Sequence, residues 1–198
     1  MKKIVYALVA LALAIGFSGC AGKVKRMDVA PEGKGIDAPQ SGKSKVVFMR
    51  PSGMGYAVQS SVFEIKNSEP SIVGIVAAKT KVAYDLDPGE HLFMVVGESA
   101  DFMSATLEAD KTYYALVTPR MGWWKARFSL KPVHAGELSS DEFKTWFDDC
   151  QLVELSKDTE AWAKENSESI QQKYEKYYKA WSEKEAPKRP KLSPEDGR

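Results

Sequence analysis

Few residues in this chain have the chemistry for acid–base, nucleophilic or metal work, and their spacing limits what each can do. Two histidines and two cysteines occur among 198 residues. His91 follows Pro88-Gly89 at the start of an apolar run, where a histidine is a structural or surface group unless a carboxylate or a substrate faces it. His134 and Glu137 stand close enough to touch one metal, but two ligands do not make a zinc site, which takes three or four. No G-x-S-x-G, no H-E-x-x-H and no phosphate-cradling glycine loop occurs. The segment "PSGMGY", residues 51–56, comes nearest to the last. It has no Lys and no following helix, so it reads as a strand connection. Cys150 shares a helical spacing with Phe143 and Trp146, which favours burial as a small apolar group over pairing with a partner's thiol. No metal and no cofactor is expected.

Cys20 differs, because of what precedes it. Lys2 and Lys3 give a positive start, residues 4–15 form an apolar core rich in Ala and Leu, and the small residues Ser18 and Gly19 lead into the cysteine. That is the layout of a secretory signal peptide. The apolar run is shorter than the roughly 20 residues a spanning helix needs. The order Phe17-Ser18-Gly19-Cys20 resembles the lipobox of bacterial lipoproteins, with Phe17 where Leu is usual. The resemblance implies cleavage before Cys20, a diacylglycerol on its thiol and usually a third acyl chain on the new amino group. Each buried methylene contributes about 0.8 kcal/mol, so two or three chains anchor stably where one does not. Ala21 stands in place of the Asp that often retains such proteins in the inner membrane, which favours the outer membrane. The expectation is a signal peptide over residues 1–19 and a mature chain anchored through Cys20 in the cell envelope, facing the periplasm.

The elements that hold these residues are legible in outline. Residues 20–44, with the stretch "AGKVKRMDVAPEGKGIDAPQSGKSK", have few large apolar side chains and predict a flexible tether. Charge is uneven along the chain: residues 21–45 carry six basic and three acidic residues, 46–136 nine of each, and 137–185 seven basic and thirteen acidic. A balanced middle and an acidic C-terminal part argue against a nucleic-acid-binding face. From Val46 the pattern has period two. In "TKVAYDL" Val82, Tyr84 and Leu86 share one side, and in "WWKARFSLK" Trp124, Ala126, Phe128 and Leu130 alternate with polar residues, as strands with one wet face do. Similar runs at "KVVFMR", "SSVFEIK", "SIVGIVA", "HLFMVVGE", "FMSATLEA" and "TYYALVT" are separated by turn chemistry. Pro88-Gly89 suits the middle of a type II turn, and Asn67, Pro70, Asp110 and Lys111 mark others. About eight short strands without intervening helices predict an antiparallel β-sandwich over residues 45–134.

The segments "KVVFMRPSGMGYAVQSSVFEIKN", "TKVAYDLDPGEHLF" and "LEADKTYYALV" carry an Arg-Pro after the first strand, a Pro-Gly-x-His turn and a Lys-x-Tyr-Tyr strand start. They resemble a group of small bacterial lipoproteins whose shared β-sandwich domain has no assigned function. The resemblance covers residues 45–131, under half the chain, and its motifs are turn and strand residues. It implies a fold and no catalytic machinery.

A helical appendage over residues 139–185 is expected to follow. Ser139 and Glu142 have capping-box spacing, and Phe143, Trp146, Phe147 and Cys150 fall on one helical face. After "QLVEL", Asp158 is the expected cap of a longer helix to about Lys184, roughly 40 Å long. Trp162, Asn166, Ile170, Tyr174, Tyr177 and Trp181 line one side of it. Such a stripe packs on its own domain or serves as a groove-binding or coiled-coil surface. Because the helix has more face than a small sandwich covers, an exposed aromatic patch is expected. Tyr174, Tyr177, Tyr178 and Trp181 are thus candidates for contact with an envelope-protein or cell-wall partner. Residues 186–198 are expected to be a disordered tail. Two functions from different classes fit: a non-catalytic binding or structural module, or a hydrolase acting on an envelope substrate with His91 or His134 as acid or base.

Overall fold

The computed structural model describes residues 24–120 and 126–198. The expected signal segment 1–19, Cys20 and Trp124 lie outside the described residues. The described chain is mostly β, with two sheets facing each other across an apolar core and helices on the outer face of each. One sheet has six strands in the order β1 (Met27–Val29), β10 (Gln151–Leu155), β5 (Thr80–Leu86), β2 (Ser44–Arg50), β8 (Thr112–Arg120), β9 (Arg127–Pro132). The other has five: β11 (Lys191–Leu192), β7 (Ala100–Leu107), β6 (Gly89–Val96), β3 (Ser60–Lys66), β4 (Glu69–Val76).

The expected antiparallel sandwich of about eight strands is therefore corrected to eleven described strands in two mixed sheets. The pairs β2–β8, β5–β10 and β7–β11 are parallel. A parallel pair needs a long crossover, and the chain supplies one between β2 and β8: it passes through β3 and β4 in the other sheet, returns for β5, and leaves again for β6 and β7. The added strands are β1 in the expected tether, β10 in the expected helical part and β11 in the expected tail. Each is five residues or fewer, too short to show a period in the sequence.

β2 shows why some strands do not alternate. Every residue of "SKVVFMR" is buried. Val46 and Phe48 enter the core between the sheets, while Val47 and Met49 face a second core with Tyr114, Leu116, Phe143 and Cys150. A strand covered on both faces reads as a continuous apolar run. The β3–β4 hairpin turns on Asn67 and Ser68, with φ of 51° and 67°, the positive pair that a two-residue type I′ turn requires. Pro88-Gly89 makes a different connection from the expected type II turn. It carries the chain from β5 in one sheet to β6 in the other, with Gly89 at φ 131°, which strongly favours glycine.

Helix α1 (Asp141–Asp148) is capped by Ser140, whose Oγ accepts from the Phe143 amide at 3.0 Å, rather than by Ser139. The expected single long helix is two: α2 (Lys157–Glu165), capped by Ser156 and not Asp158, and α3 (Ser167–Ser182). The break falls at Asn166, φ −102° and ψ 7°, whose side chain donates to the Trp162 carbonyl. Short amides compete with the helical backbone in this way. The break re-aims the aromatic face: Ile170, Tyr174 and Trp181 pack with Phe63, Met94 and Phe102 on the outer face of the five-stranded sheet.

Two expectations of disorder are overturned among the described residues. In the expected tether 20–44, Met27 and Ala30 are buried and β1 pairs antiparallel with β10. The Arg26 carbonyl accepts from the Ser156 and Thr159 hydroxyls at the start of α2. The expected disordered tail 186–198 is folded. Leu192 is fully buried in the core between the sheets, and Thr112 and Arg198 exchange two backbone hydrogen bonds. A Cβ on Gly197 would lie 2.6 Å from Cζ of Tyr113, so the tail backbone rests directly on that ring. Backbone pairing and one apolar anchor do the ordering, and composition shows neither.

Candidate functional site

β3 alternates Val62, Glu64 and Lys66 toward the inter-sheet side, which sets a carboxylate at the rim of an apolar core. Glu64 is 2% exposed. Its Oε1 accepts from Nδ1 of His91 on β6 at 2.7 Å, and its Oε2 accepts from the Tyr84 hydroxyl on β5 at 2.7 Å. Lys66 Nζ lies 2.9 Å from the same Oε2. Burial alone would raise the Glu64 pKa, but the bonds from His91, Lys66 and Tyr84 outweigh it and hold the carboxyl at about 2. Hydrogen bonding to Glu64 in turn raises Lys66, and burial followed by Glu64 raises Tyr84. His91 Nε2 faces the Asp87 carbonyl oxygen at 2.9 Å. Both ring nitrogens therefore meet oxygen atoms of the protein. The cluster ties the two sheets together beside the Pro88-Gly89 crossing.

His134 is exposed and belongs to a second cluster. Its Nδ1 lies 3.1 Å from Oδ1 of Asp196, a buried residue that also accepts from the backbone amides of Ala135 and Ser193. Glu137 meets the His134 amide at 2.9 Å rather than its ring. The two histidines share no partner, and no group of three or more His, Cys, Asp and Glu among the described residues is placed to hold a metal. Asp196 fastens the tail to the turn after β9.

The expected exposed aromatic patch is corrected. Tyr174 is 8% and Trp181 5% exposed, with Tyr177 and Tyr178 half-buried against the same cluster. Phe102 meets Tyr174, Tyr178 and Trp181 with ring centroids at 6.1, 5.5 and 5.7 Å. The five-stranded sheet offers an apolar outer face from Phe63, Met94 and Phe102, and the helix covers it. Cys150 is buried beside Phe143, and burial pushes its thiol up to about 12.

Arg50 is a buried cation whose role the sequence did not signal. It is fully buried, donates to the carbonyls of Val58, Met54 and Gly55 at 2.7, 2.6 and 2.9 Å, and lies 4.8 Å over the Phe128 ring. It thereby shapes the connection 51–59, which exposes Met54, Tyr56 and Val58. Burial lowers its pKa. "PSGMGY" is thus a strand connection built around a guanidinium. Glu64 and Asp196 were likewise missed as partners of the histidines, and Tyr84 as a partner of Glu64. The only sequence trace of the first is a carboxylate on the same side of a strand as Val62.

Compared with known proteins, the chain matches no protein-family model, and no curated protein is significantly similar to it.

Proposed function

We propose that the protein is a lipid-anchored bacterial envelope protein, held in the outer membrane through acyl chains on Cys20, facing the periplasm and acting as a non-catalytic binding or structural module. The observation that carries this reading is the closeness of the domain to Cys20. Met27, seven positions on, is already buried and paired in β1, and seven extended residues reach at most about 25 Å. A domain attached so closely to acyl chains works at the lipid surface. No helix among the described residues is long and apolar enough to cross a membrane. The lipoprotein-like segments over residues 45–131 agree with this placement.

The hydrolase alternative needs a histidine nitrogen free for substrate. Nε2 of His91 is bonded to the Asp87 carbonyl and its Nδ1 to Glu64, so of the two histidines only His134, held by Asp196 through Nδ1 on the exposed turn after β9, keeps a nitrogen open, and it does so in a cluster apart from that of His91. The hydrolase alternative therefore rests on His134 alone, and the binding module is the preferred reading. The test is Cys20→Ser in a bacterial host fed radiolabelled palmitate. Loss of label and release of a folded protein from the membrane fraction are expected; persistent labelling overturns the assignment of the lipid site.

A further inference from the structure

Helix α3 crosses the five-stranded sheet and leaves the other half of its outer face open. The C-terminal end of α3, the turn after it and β11 wall this open half into a groove of about 610 Å³, within the size range of small-molecule sites. Its floor is Ile65 and Leu92, which alternate with core residues along β3 and β6, and Tyr178 stands beside them. At the α3 end lie Trp181 and Arg189. Trp181 is 5% exposed, yet its Nε1 has no hydrogen-bond partner, and the buried Nε of Arg189 has none either. An indole N–H can only donate, and so can a guanidinium. Buried donors without acceptors are costly, and both belong to residues that line this groove, with the two nitrogens themselves covered.

We infer that this groove binds a single-chain amphiphile with a carboxylate head. This deepens the binding-module reading and rests on it. Arg189 and Lys191 set two cations against the one carboxylate of Glu90 in the lining, so the groove is charge-complementary to an anion. The guanidinium of Arg189 suits the planar, two-oxygen head, with Trp181 beside it as a reporter, and Ile65, Leu92 and Tyr178 suit the chain. A sugar is disfavoured because the indole faces are taken: Phe102 and Tyr178 pack on Trp181 with centroids at 5.7 and 6.1 Å, and Arg189 lies over the ring at 5.8 Å. A peptide is disfavoured because the strands beneath, β3, β6 and β7, are each paired on both sides and offer no open backbone edge.

The test is a titration of the full chain, labelled with ¹⁵N in its indoles and held in zwitterionic lipid nanodiscs, with octanoate and, separately, octanol. The Trp181 indole resonance is assigned by its loss in Trp181→Phe. A saturable downfield shift of that resonance with octanoate is expected, with octanol binding about tenfold more weakly. Arg189→Gln is expected to weaken octanoate by about tenfold and to leave octanol unchanged. Equal response to both probes, or an unmoved Trp181 signal at saturating octanoate, overturns the proposal, and the comparison of the two probes is itself made on the unsubstituted chain. The titration reads the groove and the palmitate experiment reads Cys20, so failure of one is distinguishable from failure of the other.

Discussion

Glu64→Gln removes the carboxylate that joins β3, β5 and β6 while keeping its shape. In the folded protein that carboxyl titrates at about 2, against 4.5 for an ordinary glutamate. A carboxylate held low stabilises the fold fully above its unfolded value and loses that contribution as pH falls from 4.5 to 2. At 1.36 kcal/mol per pH unit, the difference of about 2.5 corresponds to about 3 kcal/mol. At neutral pH the variant also strands His91, Lys66 and Tyr84 around an amide that is a poorer acceptor. Removing one partner of a buried ionic cluster costs about 3–5 kcal/mol. The assay is urea unfolding followed by circular dichroism, repeated from neutral pH down to pH 2, for both proteins. Their stability difference should be largest at neutral pH and shrink by about 3 kcal/mol across the window from 4.5 to 2. A difference that stays constant through that window would refute the reasoning, since the carboxylate would then not be what the cluster stabilises.

Leu192→Ala should destabilise the protein by about 2–5 kcal/mol, because Leu192 is fully buried in the core between the sheets and its loss leaves a cavity; a thermal melt indistinguishable from that of the parent protein would place the tail outside the core. The Cys150 thiol, raised from 9.0 to about 12, should react with iodoacetamide roughly a thousandfold more slowly than an ordinary thiol in the native protein. Rapid reaction should appear only in urea, and fast native labelling would contradict its burial.

How much of this was legible depended on the length of each element. The strands from "KVVFMR" through "WWKARFSLK" were visible because each carries five or more residues of β-forming side chains between turn residues. The type I′ turn at Asn67 and Ser68 was marked locally by Asn. β1, β10 and β11 were not visible, because two to five residues cannot display a period and their burial comes from a partner strand supplied elsewhere. The capping serines were displaced by a position or two, since Ser139, Ser140, Ser156 and Asp158 are all competent caps and packing of Phe143 and Thr159 chooses among them. The aromatic stripe was read correctly as a face and incorrectly as an exposed one. Its length was overestimated because Asn166 looked like one more member of the stripe, whereas its side chain ends the first helix.

The sequence by itself determined the β-rich class, the hydrophobic stripe of the last helix and the burial of Cys150, because local periodicity and apolar composition act over a few neighbouring residues. Only the tertiary structure decided that His91 meets Glu64, that His134 meets Asp196, that Arg50 supports residues 51–59 and that Trp181 and Arg189 line the same groove. Those meetings join residues 4 to 62 positions apart in the chain. Their geometry is set by which sheet each strand enters, a choice made by the packing of the whole domain and written in no single segment.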